Sequence, residues 1–148
     1  MIFASLTLVP AQECLTDSPV LPIDSGEKNY EHSLQHLHNE LCRQLHQDKS
    51  NVFRINELLI QLKNHLSNRF DHEEQEMLAV NYPYTTTHRH QHQRALENIT
   101  HQINYWKKKH NKSVLRDFLK NTLTQWINTH SRADIVAELF ITHIKEAE

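Results

Sequence analysis

The chain has 148 residues and a formal net charge of −2, with only one glycine, four prolines and two cysteines. This length suits a single domain that can bury a core. So few turn-forming residues exclude a multi-stranded fold, and acidic and basic residues that are mixed along the chain argue against a nucleic-acid or membrane partner. The composition predicts an all-α protein.

Residues 1–24 are predicted to form an extended N-terminal arm. They contain three of the four prolines and show no sustained helical period. The opening run MIFASLTLVP lacks a basic segment, and Pro10 ends it well before membrane-spanning length. Cys14 and Cys42 are isolated, as is usual in a reducing compartment. We expect a cytoplasmic protein whose arm packs on a bundle formed by residues 25–148.

Four amphipathic helices follow the arm. Apolar residues recur every three or four positions, for example at Leu34, Leu37, Leu41 and Leu45, and polar breaks separate the periodic segments. The predicted helices cover about residues 25–47, 52–81, 88–106 and 114–140. Short connections between long helices make neighbours antiparallel, so the sequence predicts an up-down-up-down four-helix bundle.

Residues of metal-binding type occur at helical spacing in three of these helices. His88 and His92 are four residues apart and therefore share a helix face, as do His130 and Asp134, while Glu73 lies on the inner row of the second helix. Three imidazoles with carboxylates suit iron, zinc or manganese, and the lack of paired cysteines argues against a thiolate site. The sequence thus predicts a metal site inside the bundle.

The same region resembles the hemerythrin family, especially its single-domain bacterial members. The resemblance covers about residues 55–140 and is carried by the motifs RFDHEEQEM at 69–77, Tyr82-Pro83, His88-x-x-x-His92 and Trp126-x-x-x-His130. It implies a four-helix bundle around two irons, one held by three histidines and the other by two, with a bridging Glu and a bridging Asp. It also implies O₂ binding at the iron that has two histidines.

Carried over residue by residue, the resemblance makes Glu73 the bridging glutamate and His88, His92 and His130 the ligands of the first iron. Asp134 is the nearest match to the bridging aspartate, although the family places that residue five positions after the histidine, where this chain has Ile135.

The histidines of the second iron are missing. The register puts Arg69 in one of their positions and Glu31 in the other. The helical phase turns His65 and His72 away from the inner row, and it turns His32 away unless the first helix is rotated.

An arginine at position 69 disfavours a second ion. It cannot coordinate a metal, and a unit positive charge about 4 Å from a dication costs roughly 8 kcal/mol at an effective dielectric constant of 20. We therefore expect Arg69 to border or occupy the second-metal pocket and to pair with Glu31, Glu73 or Asp134. One ion would then be held by the three histidines with one or two carboxylates.

The expected function is that of a hemerythrin-like protein that binds one or two irons and binds or senses O₂ or a related diatomic. No general acid or base is identifiable beyond the carboxylates, which favours a non-catalytic role. Two alternatives stay open: a mononuclear metal enzyme acting on superoxide or peroxide, and a metal-free interaction module with an Arg-carboxylate network.

Overall fold

The computed structural model describes residues 28–147, and their side chains from Ser33 onward. Its helices are α1 (Lys28–His46), α2 (Val52–Ala79), α3 (Thr85–Lys109) and α4, a continuous helix that contains a π segment. The three stretches of α4 are Lys112–Asp117, the π segment Phe118–Leu123, and Thr124–Glu146. The all-α prediction is confirmed, and no strand occurs over residues 28–147. The predicted arm, residues 1–24, lies outside the described residues.

Contacts at the helix ends establish the antiparallel order. Lys112, at the start of α4, donates from Nζ to the carbonyl of Gln47, just after α1, at 2.8 Å. Trp106, near the end of α3, donates from Nε1 to Oδ1 of Asn56, near the start of α2, at 3.0 Å. The ends of α1 and α3 and the starts of α2 and α4 therefore share one end of the molecule, which is the up-down-up-down arrangement.

Local residues explain where the helices begin and end. The Asn51 side chain caps α2, and that of Asn111 caps α4 by accepting from the backbone N–H of Val114 at 3.1 Å. His110 ends α3 in the left-handed region, with φ 48°.

The core is apolar along most of the bundle but contains a polar layer near one end. The main apolar layer contains the predicted leucine stripe of α1, with Leu34, Leu41 and Leu45 fully buried. A second, smaller apolar group lies farther along, formed by Met77, Tyr82, Ala137 and Ile141. Between the two groups the inward positions are polar, so a buried polar layer is enclosed by apolar packing on both sides.

Three features of this fold lie outside the site. Ile135 and Leu139, two apolar residues of α4, are exposed. Cys42 is buried, whereas Cys14 lies outside the described residues. None of the helices between Lys28 and Glu146 combines the length and apolar character needed to cross a membrane.

Candidate metal centre

The polar layer is a cluster of five buried side chains from three helices. Glu73 comes from α2, His88 and His92 from α3, and His130 and Asp134 from α4. Each contributes one potential ligand atom, and these five atoms all lie within 4.8 Å of one another. The five residues predicted from the sequence are therefore brought to a single point, and the group could hold a metal ion.

The spacing within the cluster has the dimensions of a coordination shell. Asp134 Oδ1 is 3.1 Å from His88 Nε2 and 3.2 Å from His130 Nε2, and Glu73 Oε2 is 3.3 Å from His92 Nε2 and 3.9 Å from His88 Nε2. When two donor atoms each lie about 2.1 Å from a shared ion, they are about 3.0 Å apart if the donor–ion–donor angle is 90° and about 4.2 Å apart if it is 180°. These four separations lie in this range, and all five donor atoms lie within 4.8 Å of one another.

Three of the five atoms have no hydrogen-bond partner among the described residues. These are Glu73 Oε2, His88 Nε2 and Asp134 Oδ1, all fully shielded from solvent. His88 Nε2 and Asp134 Oδ1 are only 3.1 Å apart, yet they are not aligned as donor and acceptor. Buried polar atoms are nearly always hydrogen-bonded, so atoms that converge without bonding one another fit a shared ion.

The five side chains of the cluster strongly affect one another's ionisation. Burial alone would raise the pKa of Glu73, but contacts with His88 and His92 and the charge of Arg69 outweigh burial and leave this pKa far below its usual range. Burial is likewise outweighed at Asp134, whose pKa is lowered by His130 and His88. For His88 burial favours the neutral ring, yet contacts with Asp134 and Glu73 raise the pKa to about 9. The two carboxylates are thus ionised, and His88 is protonated.

Arg69 binds the outer oxygen of Glu73. Its Nε donates to Glu73 Oε1 at 2.6 Å, while Oε2 of the same carboxylate belongs to the cluster. The expected pairing of Arg69 with Glu73 is confirmed. The side chains of Glu31 and His32 lie outside the described residues.

Aromatic rings hold two of the imidazoles in place. Phe70 stacks on His92 with ring centroids 3.9 Å apart and planes 5° from parallel, and Trp126 stacks on His130 at 4.5 Å and 14°. The ring planes of these histidines are thereby fixed. The sequence motifs contain Phe70 and Trp126 but did not predict these stacking contacts.

Glu74 is a site residue that sequence reasoning missed. Its Oε1 lies 2.9 Å from His92 Nδ1, and its Oε2 accepts from Arg89 Nε at 2.9 Å. Successive helix residues point about 100° apart, so in the pair Glu73-Glu74 the first faces the interior and the second faces α3. The two adjacent glutamates, Glu73 and Glu74, were the feature of the sequence that could have indicated a contact between Glu74 and α3.

The short spacing to Asp134 needs no local distortion. His130 and Asp134 lie in the regular α-helical stretch after the π segment, both side chains are buried, and Ile135 is exposed. An i, i+4 pair shares a helix face, so Asp134 reaches the cluster directly. His72, which was expected to point away from the interior, is exposed, and so is His90 on α3.

Comparison with known proteins gave no match among family models, curated proteins or solved structures. The hemerythrin resemblance therefore stays a prediction from the motif residues.

Proposed function

We propose that this chain is a hemerythrin-like protein that holds one iron ion in the buried cluster and binds O₂ or a related diatomic there. The observation that supports this most strongly is the convergence of five donor atoms, all buried, of which three have no hydrogen-bond partner in the described structure.

The donor set supports a divalent transition metal. Three imidazole nitrogens and two carboxylate oxygens suit iron, and they also accept manganese or zinc. The two carboxylates balance the charge of a dication, so its burial leaves no large uncompensated charge. Five protein donors on a six-coordinate ion leave one position free, which is what a diatomic ligand requires.

Arg69 supports one ion rather than two. Its guanidinium is bound to the Glu73 oxygen that faces away from the cluster, where the family resemblance would place a second iron. The Arg69 and Glu73 side chains are only 10% and 2% exposed, so this positive charge is poorly screened and disfavours a second cation.

The same arginine favours a second candidate function. In the resembled family O₂ binds at a centre of two irons, whereas one ion with three histidines and carboxylates also suits redox chemistry with superoxide or peroxide. A mononuclear redox enzyme is therefore the alternative that the Arg69–Glu73 pair supports.

The test measures Fe²⁺ affinity under anaerobic conditions by competition with a chromophoric chelator. His92→Ala and His130→Ala each remove one donor, and about 3 kcal/mol per ligand corresponds to a loss of about 100-fold. His90→Ala is the matched control, because His90 lies on α3 but is exposed. Wild-type affinity in both donor variants would contradict the proposal.

Admitting O₂ to the iron-loaded protein then separates the two functions. A reversible change in the optical spectrum that is lost in His92→Ala supports diatomic binding. Catalytic loss of superoxide or peroxide, without a reversible O₂ spectrum, supports the enzyme instead.

A further inference from the structure

We propose that Glu74, anchored by Arg89, is a positioning residue that fixes the tautomer of His92 so that its Nε2 lone pair faces the cluster. The inference rests on the proposed metal-binding function and adds a residue to it.

The contacts of Glu74 determine where the proton of His92 lies. Arg89 donates to Glu74 Oε2, and an arginine-bound carboxylate acts as an acceptor. Oε1 of the same carboxylate is 2.9 Å from His92 Nδ1, so this nitrogen is the donor and carries the hydrogen. The neutral ring then has its lone pair on Nε2, the atom that belongs to the cluster.

The neighbouring histidine makes this selection necessary. His92 Nε2 and His130 Nε2 are 2.9 Å apart, so in the metal-free protein one nitrogen donates and the other accepts. Without Glu74 either direction satisfies the contact, so the hydrogen can lie on Nε2 of His92 as well as on Nε2 of His130, although both nitrogens are candidate ligands. Phe70 fixes the plane of the His92 ring by stacking, but a stacked ring does not distinguish the two nitrogens. Glu74 therefore selects the tautomer, and His130 becomes the donor.

A groove on the protein surface supplies a matched control. Glu74, Arg89 and His92 line a groove of about 660 Å³ between α2 and α3, together with Glu97. Glu97 accepts from Gln93 on its own helix at 3.1 Å, and it is not part of the cluster. Glu97→Ala thus removes the same charge from the same groove without touching a ligand.

The first readout is Zn²⁺ affinity of the full chain, measured by chelator competition. Loss of a carboxylate that orients a metal-binding histidine typically weakens affinity about 10- to 100-fold, which is the loss expected for Glu74→Ala. Glu74→Gln should recover part of it, because the amide oxygen still accepts from Nδ1. Glu97→Ala should stay within about twofold of wild type. If Glu74→Ala matches Glu97→Ala while wild type binds zinc, the inference is overturned and metal binding stands.

The second readout is the tautomer of His92 in the metal-free protein, from two-bond ¹H–¹⁵N spectra. Wild type and Glu97→Ala should show the hydrogen on Nδ1, and Glu74→Ala should lose that preference. A wild-type ring with its hydrogen on Nε2, or an unchanged ring in Glu74→Ala, overturns the inference whatever the affinities are. Failure of wild type to bind either Zn²⁺ or Fe²⁺ instead overturns the proposed function, and the positioning role falls with it.

Discussion

Arg69 carries a full positive charge into the layer of the bundle that contains the candidate ligands. Its partner Glu73 is buried, and their closest atoms are 2.6 Å apart. Removing one member of a buried ion pair costs far more than the pair contributes, because the other charge is left without compensation. In the metal-free protein Arg69 should therefore matter for stability.

Replacing Arg69 by Met should lower the free energy of unfolding of the metal-free protein by about 3 kcal/mol. The measurement is urea denaturation in the presence of a chelator. Arg43→Met is the control, since Arg43 pairs with Glu40 on the surface with its side chain 57% exposed, and it should cost less than about 1 kcal/mol. Equal losses of unfolding free energy in the two variants would contradict this prediction, because the Arg69–Glu73 pair would then contribute no more to stability than an exposed ion pair.

At the level of single residues, helical periodicity predicted which side chains point inward. His88, His92, His130 and Asp134 each follow from i, i+4 spacing on an apolar face, and all are buried. The contact between Glu74 and His92 depends on how α2 and α3 are rotated against each other, to within a fraction of a turn. No single-helix pattern contains that information.

The π segment is the least regular part of the helix that carries His130 and Asp134. Leu115, Leu119, Leu123 and Ile127 are all buried although they are spaced strictly by four residues. Four residues turn an α-helix through about 400°, so such a stripe drifts about 40° per step. The wider π turn absorbs part of this drift and keeps the stripe on the core. The helices were predictable from periodicity. The only sign of the π segment was the difference between the four-residue spacing of this stripe and the 3.6-residue period of an α-helix.

His38 supports the π segment from α1. It is fully buried, and its Nε2 lies 3.3 Å from the carbonyl of Leu119, which also accepts from Thr124 Oγ1 at 2.8 Å. Burial lowers the pKa of His38 below the usual 6.5, and the bond to Leu119 offsets this only in part. His38 is therefore neutral in the folded protein under conditions in which the unfolded chain binds a proton.

Stability should depend on pH through His38. A lowered pKa in the folded state means that its contribution is complete above about pH 6.5 and is lost as the pH falls toward the lower folded-state value. His38→Gln should cost about 1–2 kcal/mol at pH 7.5, and this difference from wild type should shrink between pH 6.5 and pH 5. Urea denaturation with a chelator at each pH measures it, with His36→Gln as the exposed control on α1. A His38→Gln difference that is constant with pH would contradict this role.

Across the whole molecule, the bundle encloses a charged cluster between two apolar layers. On one side of the cluster lies the main apolar layer, with residues such as Phe70 and Ile127, and on the other side lies the smaller apolar group, with Met77 and Ala137. Burying five ionisable groups together without an ion or a full hydrogen-bond network is costly. Composition and periodicity sufficed to predict the four-helix architecture, whereas the identity of the ion and its small-molecule ligand depend on chemistry that no spacing specifies.

The number of metal ions retained per chain tests the central claim most directly. The protein is reconstituted with excess Fe²⁺ under anaerobic conditions, freed of unbound ion, and analysed for iron against protein concentration. We expect one iron per chain, because five donors converge on a single point and the Arg69 guanidinium is bound to the other oxygen of Glu73. Two irons per chain would contradict the single-ion centre, and none would contradict the metal centre itself.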